Sequence, residues 1–189
     1  MEVDQSSSSG VEVAALARRI DRPVVLVGMM GAGKSTVGRK LAAMLHLPFV
    51  DSDDEIELAA QMTIPEIFEH GGEDYFRDGE RRVLARLIES GPRVIATGGG
   101  AFCNDRTRAL LLERAVSIWL DSSIDTLVER VGRKANRPLL RGGDPREILT
   151  RLREQRGPLY AQAQIHIVSD SGPHGHTVKQ VLEALDAWL

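Results

Sequence analysis

The chain has 189 residues, 42% of them apolar, and a net charge of −3 with both signs mixed along its length. That is enough for one α/β domain with a sizeable core and too little for two, and the apolar share excludes a disordered chain. The charge balance, without a basic stripe, argues against a nucleic-acid binder and for a small-molecule partner. No apolar run is long enough to span a bilayer, and the single cysteine, Cys103, fits a reducing cytoplasm.

The start, Met1 to Gly10, is acidic and serine-rich, with neither a basic nor an apolar region, so it is not a secretory signal. We expect a partly disordered tail over residues 1–20 and a folded domain over 21–189. Val24 to Val27 is a short run of the kind that forms a strand buried on both faces. It leads into Gly28-Met29-Met30-Gly31-Ala32-Gly33-Lys34-Ser35, which fits G-x-x-x-x-G-K-[ST] without a mismatch. Val37, Leu41 and Leu45 then repeat with helical spacing. A strand entering and a helix leaving are the context a phosphate loop needs. Its backbone amides converge on phosphate oxygens, Lys34 reaches the β- and γ-phosphates, and the Ser35 hydroxyl binds Mg²⁺. This pattern says nucleoside triphosphate; by itself it does not say kinase.

Pro48 to Val50 is the second strand, ending in Asp51-Ser52-Asp53-Asp54. Residues two apart on an extended segment point the same way. Asp51 and Asp53 therefore both face the cleft, one to order Mg²⁺ and one to accept a proton from an alcohol, or else they cap the helix that follows. The connection from Asp51 to Pro92 is longer than a crossover requires. It carries an apolar helical face at Val83, Leu84, Leu87 and Ile88. Arg93 to Ala96 is the third strand, followed by Thr97-Gly98-Gly99-Gly100, where a ligand can approach the backbone closely. Val116 to Leu120 is the fourth. Asp121 after it reads as an N-cap. The second long connection, Asp121 to Gln164, holds a flexible basic segment over about 133–145, a lid candidate, and a helix through Ile148, Leu149 and Leu152. Ile165 to Val168 is the fifth strand, and Val178, Val181, Leu182 and Leu185 form a last helix near Trp188. Strands alternating with helices mean a doubly wound α/β domain. His174 and His176 lack a third metal ligand, Cys103 reads as a quiet buried thiol, and Trp119 and Trp188 read as core.

Arginine suits carboxylate or phosphate bidentately, and three arginines stand at structured places: Arg77 in Phe76-Arg77-x-x-Glu80, Arg137 in Asn136-Arg137-Pro138-Leu139-Leu140, and Arg156 in Arg156-Gly157-Pro158-Leu159-Tyr160. Taken with residues 28–36, Asp51-Ser52-Asp53 and Gly98-Gly99-Gly100-Ala101, these segments occur in the order found in the shikimate kinases, and from about Asp21 onward the chain resembles that family. The resemblance implies a three-layer P-loop fold of the nucleoside-monophosphate-kinase branch, with a five-stranded parallel sheet in the order 2-3-1-4-5, a helical substrate subdomain and a lid. It implies ATP as co-substrate, Mg²⁺, shikimate as acceptor and a cytoplasmic monomer. The nucleotide set would be Gly31, Ala32, Gly33, Lys34, Ser35, Thr36, Arg130 beside adenine, and Arg137 swinging in from the lid. Asp51 would order Mg²⁺ through water, and Asp53 would hold the acceptor hydroxyls and serve as base. Arg77 and Arg156 would clamp the carboxylate, Gly98 to Gly100 would carry the ring hydroxyls, and Glu80 would position Arg77. Two other readings compete: a kinase for another hydroxy acid such as gluconate, and a non-catalytic nucleotide-binding regulator.

Overall fold

Runs of β-branched residues too short for a helix form the sheet. In the computed structural model, which describes residues 11–133, 142–169 and 172–189, they do so in parallel. Helix α1 (Val13–Arg19) is followed by β1 (Val24–Val27), α2 (Lys34–Leu45), β2 (Phe49–Asp51), α3 (Ser52–Ala60) and α4 (Ile64–Glu89). Then come β3 (Val94–Ala96), a 3-10 turn at Ala101–Cys103, α5 (Asp105–Arg114), β4 (Val116–Ser122), α6 (Ile124–Gly132), α7 (Pro145–Tyr160), β5 (Ile165–Ser169) and α8 (His174–Trp188). The strand order is β2-β3-β1-β4-β5, as the family resemblance implies. The central strand β1 pairs with β3 through Val25 and Ile95 and with β4 through Val25 and Ser117. All four β1 residues are fully buried, which is why this run shows no polar alternation. The edge strand β5 does alternate: Ile165, Ile167 and Ser169 are buried while His166 and Val168 are exposed.

The apolar stripes fall where the 3.6-residue period places them. Val37, Leu41 and Leu45 of α2, Leu84 and Leu87 of α4, and Val181 and Leu185 of α8 all lie in the core. Three details differ from expectation. The folded body begins before residue 21, because α1 packs on α2 and α8 with Leu16 fully buried; seven residues are too few for a sequence period to show. Trp188 is 41% exposed, at the end of α8, and so is not core, whereas Trp119 is buried. The first long connection, from Asp51 to Pro92, carries its apolar face on a helix that is not straight: α4 runs from a capping box at Thr63 and Glu66 but kinks at Gly72, whose φ is 76°. Among the described residues, no helix is long and apolar enough to cross a membrane. Residues 134–141, which hold Arg137 and most of the expected lid, lie outside those described.

Candidate active site

Open parallel sheets gather their ligands beyond the carboxyl ends of the strands, where the order of strands reverses. Here that point lies between β1 and its neighbours, and it is where the loop from β1 to α2 sits. Gly33, the residue before α2, has φ 89° and ψ 17°, a left-handed conformation that costs glycine nothing. It turns the chain so that the first amides of α2, free of intrahelical partners, face a common point. Lys34 is only 8% exposed, and its Nζ donates to the carbonyls of Gly28 at 2.7 Å and Met29 at 2.8 Å. Arg130, from α6, donates to the Gly31 carbonyl at 3.3 Å. The ring of His174, the first residue of α8, lies against the same place: a Cβ added to Gly33 would meet its Cε1 at 3.0 Å and the Arg130 Nη1 at 3.4 Å. Burial, with the positive charges of Arg130 and Lys40, holds His174 below its usual range, so the ring is neutral at pH 7. From sequence, His174 reads as an unlikely metal ligand, and the length and glycine content of residues 169–176 put a contact of that segment with adenine in doubt. The position of His174 at the start of the helix after the last strand was the available signal.

Asp51 does two things at once. Its Oδ2 accepts from the Ser35 hydroxyl at 2.7 Å and its Oδ1 accepts from the Asp53 amide at 3.1 Å, capping α3. The two sequence readings, cap and cleft residue, are thus both met in one side chain. A hydroxyl and a carboxylate drawn together beside a phosphate loop are hard oxygen donors that fit Mg²⁺, which keeps most of its water and borrows ligands from phosphate. Among the described residues no three His, Cys, Asp or Glu side chains cluster to form a metal cage of their own. Asp53, two residues on, has its carboxyl pushed up to about 6, first by burial and then by the Asp51 charge, with Lys34 pulling the other way.

The acceptor side is assembled on the glycine triplet. A Cβ on Gly98 would come within 2.9 Å of Asp53 Oδ1, one on Gly99 within 3.5 Å of Arg156 Nη1, and one on Gly100 would overlap the Arg77 guanidinium. Three side chains from α3, α4 and α7 therefore meet over one bare stretch of backbone. Arg77 is held by Glu80, whose Oε1 accepts from its Nη1 at 2.7 Å; Glu80 is fully buried. The other oxygen of Glu80 is buried with no hydrogen-bond partner among the described residues, and burial pushes its carboxyl up. Tyr160 donates its hydroxyl to the Gly99 carbonyl, with Arg156 and Cys103 near enough to bear on its titration. Burial raises both the Tyr160 hydroxyl and the Cys103 thiol, which keeps them protonated, so Cys103 is no nucleophile here. Ala32 is buried on the loop and Thr36 is exposed in the first turn of α2.

One assignment is corrected. Asp121 does not cap α6; Ser123 does, accepting from the Thr126 amide at 3.2 Å. Strand β4 runs two residues past Leu120, so Asp121 stays in the sheet. There its carboxylate accepts from Arg153 at 3.2 and 3.3 Å and meets His166 Nε2 at 3.3 Å.

A parallel sheet in this order, a phosphate loop at its switch point, and a carboxylate with two arginines facing that loop define a P-loop kinase for a small acidic acceptor. Comparison with known proteins narrows this. The model of the shikimate kinase family matches residues 30–186. The shikimate kinase of Novosphingobium aromaticivorans is 62% identical over the whole of both chains. The solved shikimate kinase of Acinetobacter baumannii, in complex with shikimate, superposes with a TM-score of 0.83 at 39% identity, covering 88% of this chain and 93% of the other. The chain belongs to the shikimate kinase family. A gluconokinase from Sinorhizobium meliloti superposes with a TM-score of 0.57 at 19% identity over 87% of this chain and 91% of its own, a likeness of fold alone.

Proposed function

We propose that this protein transfers the γ-phosphoryl group of ATP to the 3-hydroxyl of shikimate, giving ADP and shikimate 3-phosphate. The observation that carries the reading is the meeting of Asp53, Arg77 and Arg156 over Gly98–Gly100, beside the loop that holds Lys34. Two guanidiniums suit one carboxylate, and a carboxylate near neutral pKa suits one hydroxyl. The nucleotide lies along Gly31 to Thr36, with Arg130 and His174 at its far end. Arg77 and Arg156 turn the acid so that its 3-hydroxyl faces the γ-phosphorus. Asp53 accepts the hydroxyl proton as the new P–O bond forms, and the bond to the β-γ bridging oxygen breaks toward ADP. Lys34 balances the charge gathering on the phosphates, and Arg137 closes over them from the lid. Ser35 and Asp51 would be the residues to hold Mg²⁺, which would supply positive charge against the phosphate oxygens. In this reading the molecule acts as a monomer in the cytoplasm, on small molecules only, without nucleic acid or membrane.

The deciding assay is coupled ADP release with MgATP and either shikimate, gluconate or no acceptor. Release that needs shikimate supports the reading. Release with gluconate alone moves the acceptor class, and release with neither returns the non-catalytic alternative. Arg156→Ala should raise the KM for shikimate by about 10²-fold, the cost of a charge-assisted pair to a carboxylate, and leave the KM for ATP within about twofold. Equal losses on both substrates would overturn the clamp. Gly100→Ala should act on the same substrate from the other side. The added methyl displaces the Arg77 guanidinium, so shikimate affinity should fall by at least about tenfold while nucleotide affinity holds.

A further inference from the structure

Helix α7 carries Arg156 on a thin apolar seam, with Leu152 partly buried and Arg146 paired to Asp125 of α6 at 2.6 Å. Among its sixteen residues only Leu149 and Tyr160 are buried. Arg156 is followed by Gly157 and Pro158. The proline gives no amide to the helix ladder, and the glycine adds backbone freedom, so the turn bearing the clamp is the weakest of the helix. Apolar burial and local helix propensity therefore do not fix where the Arg156 guanidinium points.

Polar anchors do. Arg153, Arg156 and Tyr160 are spaced three and four residues apart, so they lie along one stripe of α7. At one end of the stripe Tyr160 is bonded to the Gly99 carbonyl and stands 5.9 Å from the Trp119 ring. At the other end Arg153 gives Nη2 to both oxygens of Asp121, at 3.2 and 3.3 Å. Trp119 and Asp121 are two apart on β4 and share a face. Trp119 stacks on His166 at 4.1 Å, and His166 reaches back to Asp121. The Asp121 side chain is only 13% exposed. Its position on the rigid sheet, its burial and its two basic partners make it a fixed post for the helix.

We infer that Asp121 is a positioning residue for the acid clamp: by holding Arg153 against the end of β4, it sets the register of α7 and so the reach of Arg156. The carboxylate also keeps Arg153 turned toward the sheet, leaving Arg156 and Arg77 to face the acid. This inference rests on the reading of Arg156 as a carboxylate clamp, and the test separates the two.

Steady-state kinetics with MgATP and shikimate would be run on the full chain and on Asp121→Asn, Asp121→Glu, Arg153→Gln, the Asp121→Asn/Arg153→Gln pair and Arg156→Ala. Asp121→Asn should raise the KM for shikimate about three- to tenfold, with kcat and the KM for ATP within about twofold. Asp121→Glu should recover most of that loss, and the double variant should lose no more than the worse single one, because both break the same link. A general loss of packing would instead lower kcat and both affinities together and would show in the melting temperature. An unchanged shikimate KM in Asp121→Asn, or fully additive single effects, overturns the inference while leaving the clamp intact if Arg156→Ala still loses shikimate. Should Arg156→Ala itself spare shikimate, the clamp reading fails first.

Discussion

Lys34→Ala is expected to lower kcat by about 10³-fold, the scale seen when a preorganised charge is removed from a transition state. The reason is geometric as well as electrostatic. The ammonium sits in a nearly closed niche at the loop, bonded to two carbonyls, so no solvent cation replaces it. The loss has a second signature. Lys34 is the charge that holds the Asp53 carboxyl down against burial and Asp51. Without it the acidic limb of any residual activity moves to higher pH. Coupled ADP release across pH 5–9 reads both effects. A variant retaining a tenth of wild-type kcat would sink the assignment.

Asp53→Asn is expected to lose activity and gain stability. The loss, about 10²- to 10⁴-fold in kcat, is that of a general base at the acceptor hydroxyl. In the wild type kcat/KM should rise with pH through about 6, where the Asp53 carboxyl ionises, and the variant should lack that limb. The sign of the stability change follows from the same shift. A carboxyl whose folded value lies above its unfolded one supports the fold while protonated, below about 4, and withdraws that support as pH rises through about 6. At pH 7.5 the wild type therefore carries an ionised, half-buried carboxylate that the amide variant does not. The gain for Asp53→Asn is on the order of 1–2 kcal/mol once solvent screening is allowed for, a few degrees in melting temperature. At pH 4 the two proteins should melt together. A variant that is less stable than wild type at pH 7.5 would contradict the picture of Asp53 as a strained functional group.

Much of this site is legible in the sequence because its parts are local. The phosphate loop is one unbroken segment between a strand and a helix, and the backbone conformation of Gly33 follows from the residue type. The two carboxylates are legible as neighbours at a strand end, but for the wrong reason. Strand β2 stops at Asp51 and Asp53 already lies in the first turn of α3, so it is the Asp51 cap on the Asp53 amide, not the pleat, that sets them side by side. Strands β1, β3 and most of β4 are legible because they are buried on both faces, and β5 because it is buried on alternate residues, whereas the short β2 is only partly buried throughout. What stays hidden is the long-range pairing. Nothing local says that β3 lies between β2 and β1; the family resemblance supplied that order. Nothing near Asp121 announces Arg153, thirty-two residues away, so the carboxylate read as a helix cap. Strand β4 overruns its apolar core by two residues, and only its neighbour β5, paired through Ser122 and Ser169, shows why. Arg77, Arg156 and the glycine triplet could be named one by one, but their convergence is a property of three helices docked on one loop.

The resting bonds of Lys34 bear on turnover as well as on binding. Its ammonium has partners in the loop's own backbone, the Gly28 and Met29 carbonyls. A departing diphosphate thus hands the charge back to the backbone and leaves no bare buried cation behind. Such an exchange would lower the exit barrier at some expense of affinity for both nucleotides. In kinases whose pace is set by escape of the spent nucleotide, a cradle that competes with its own occupant works as an ejector.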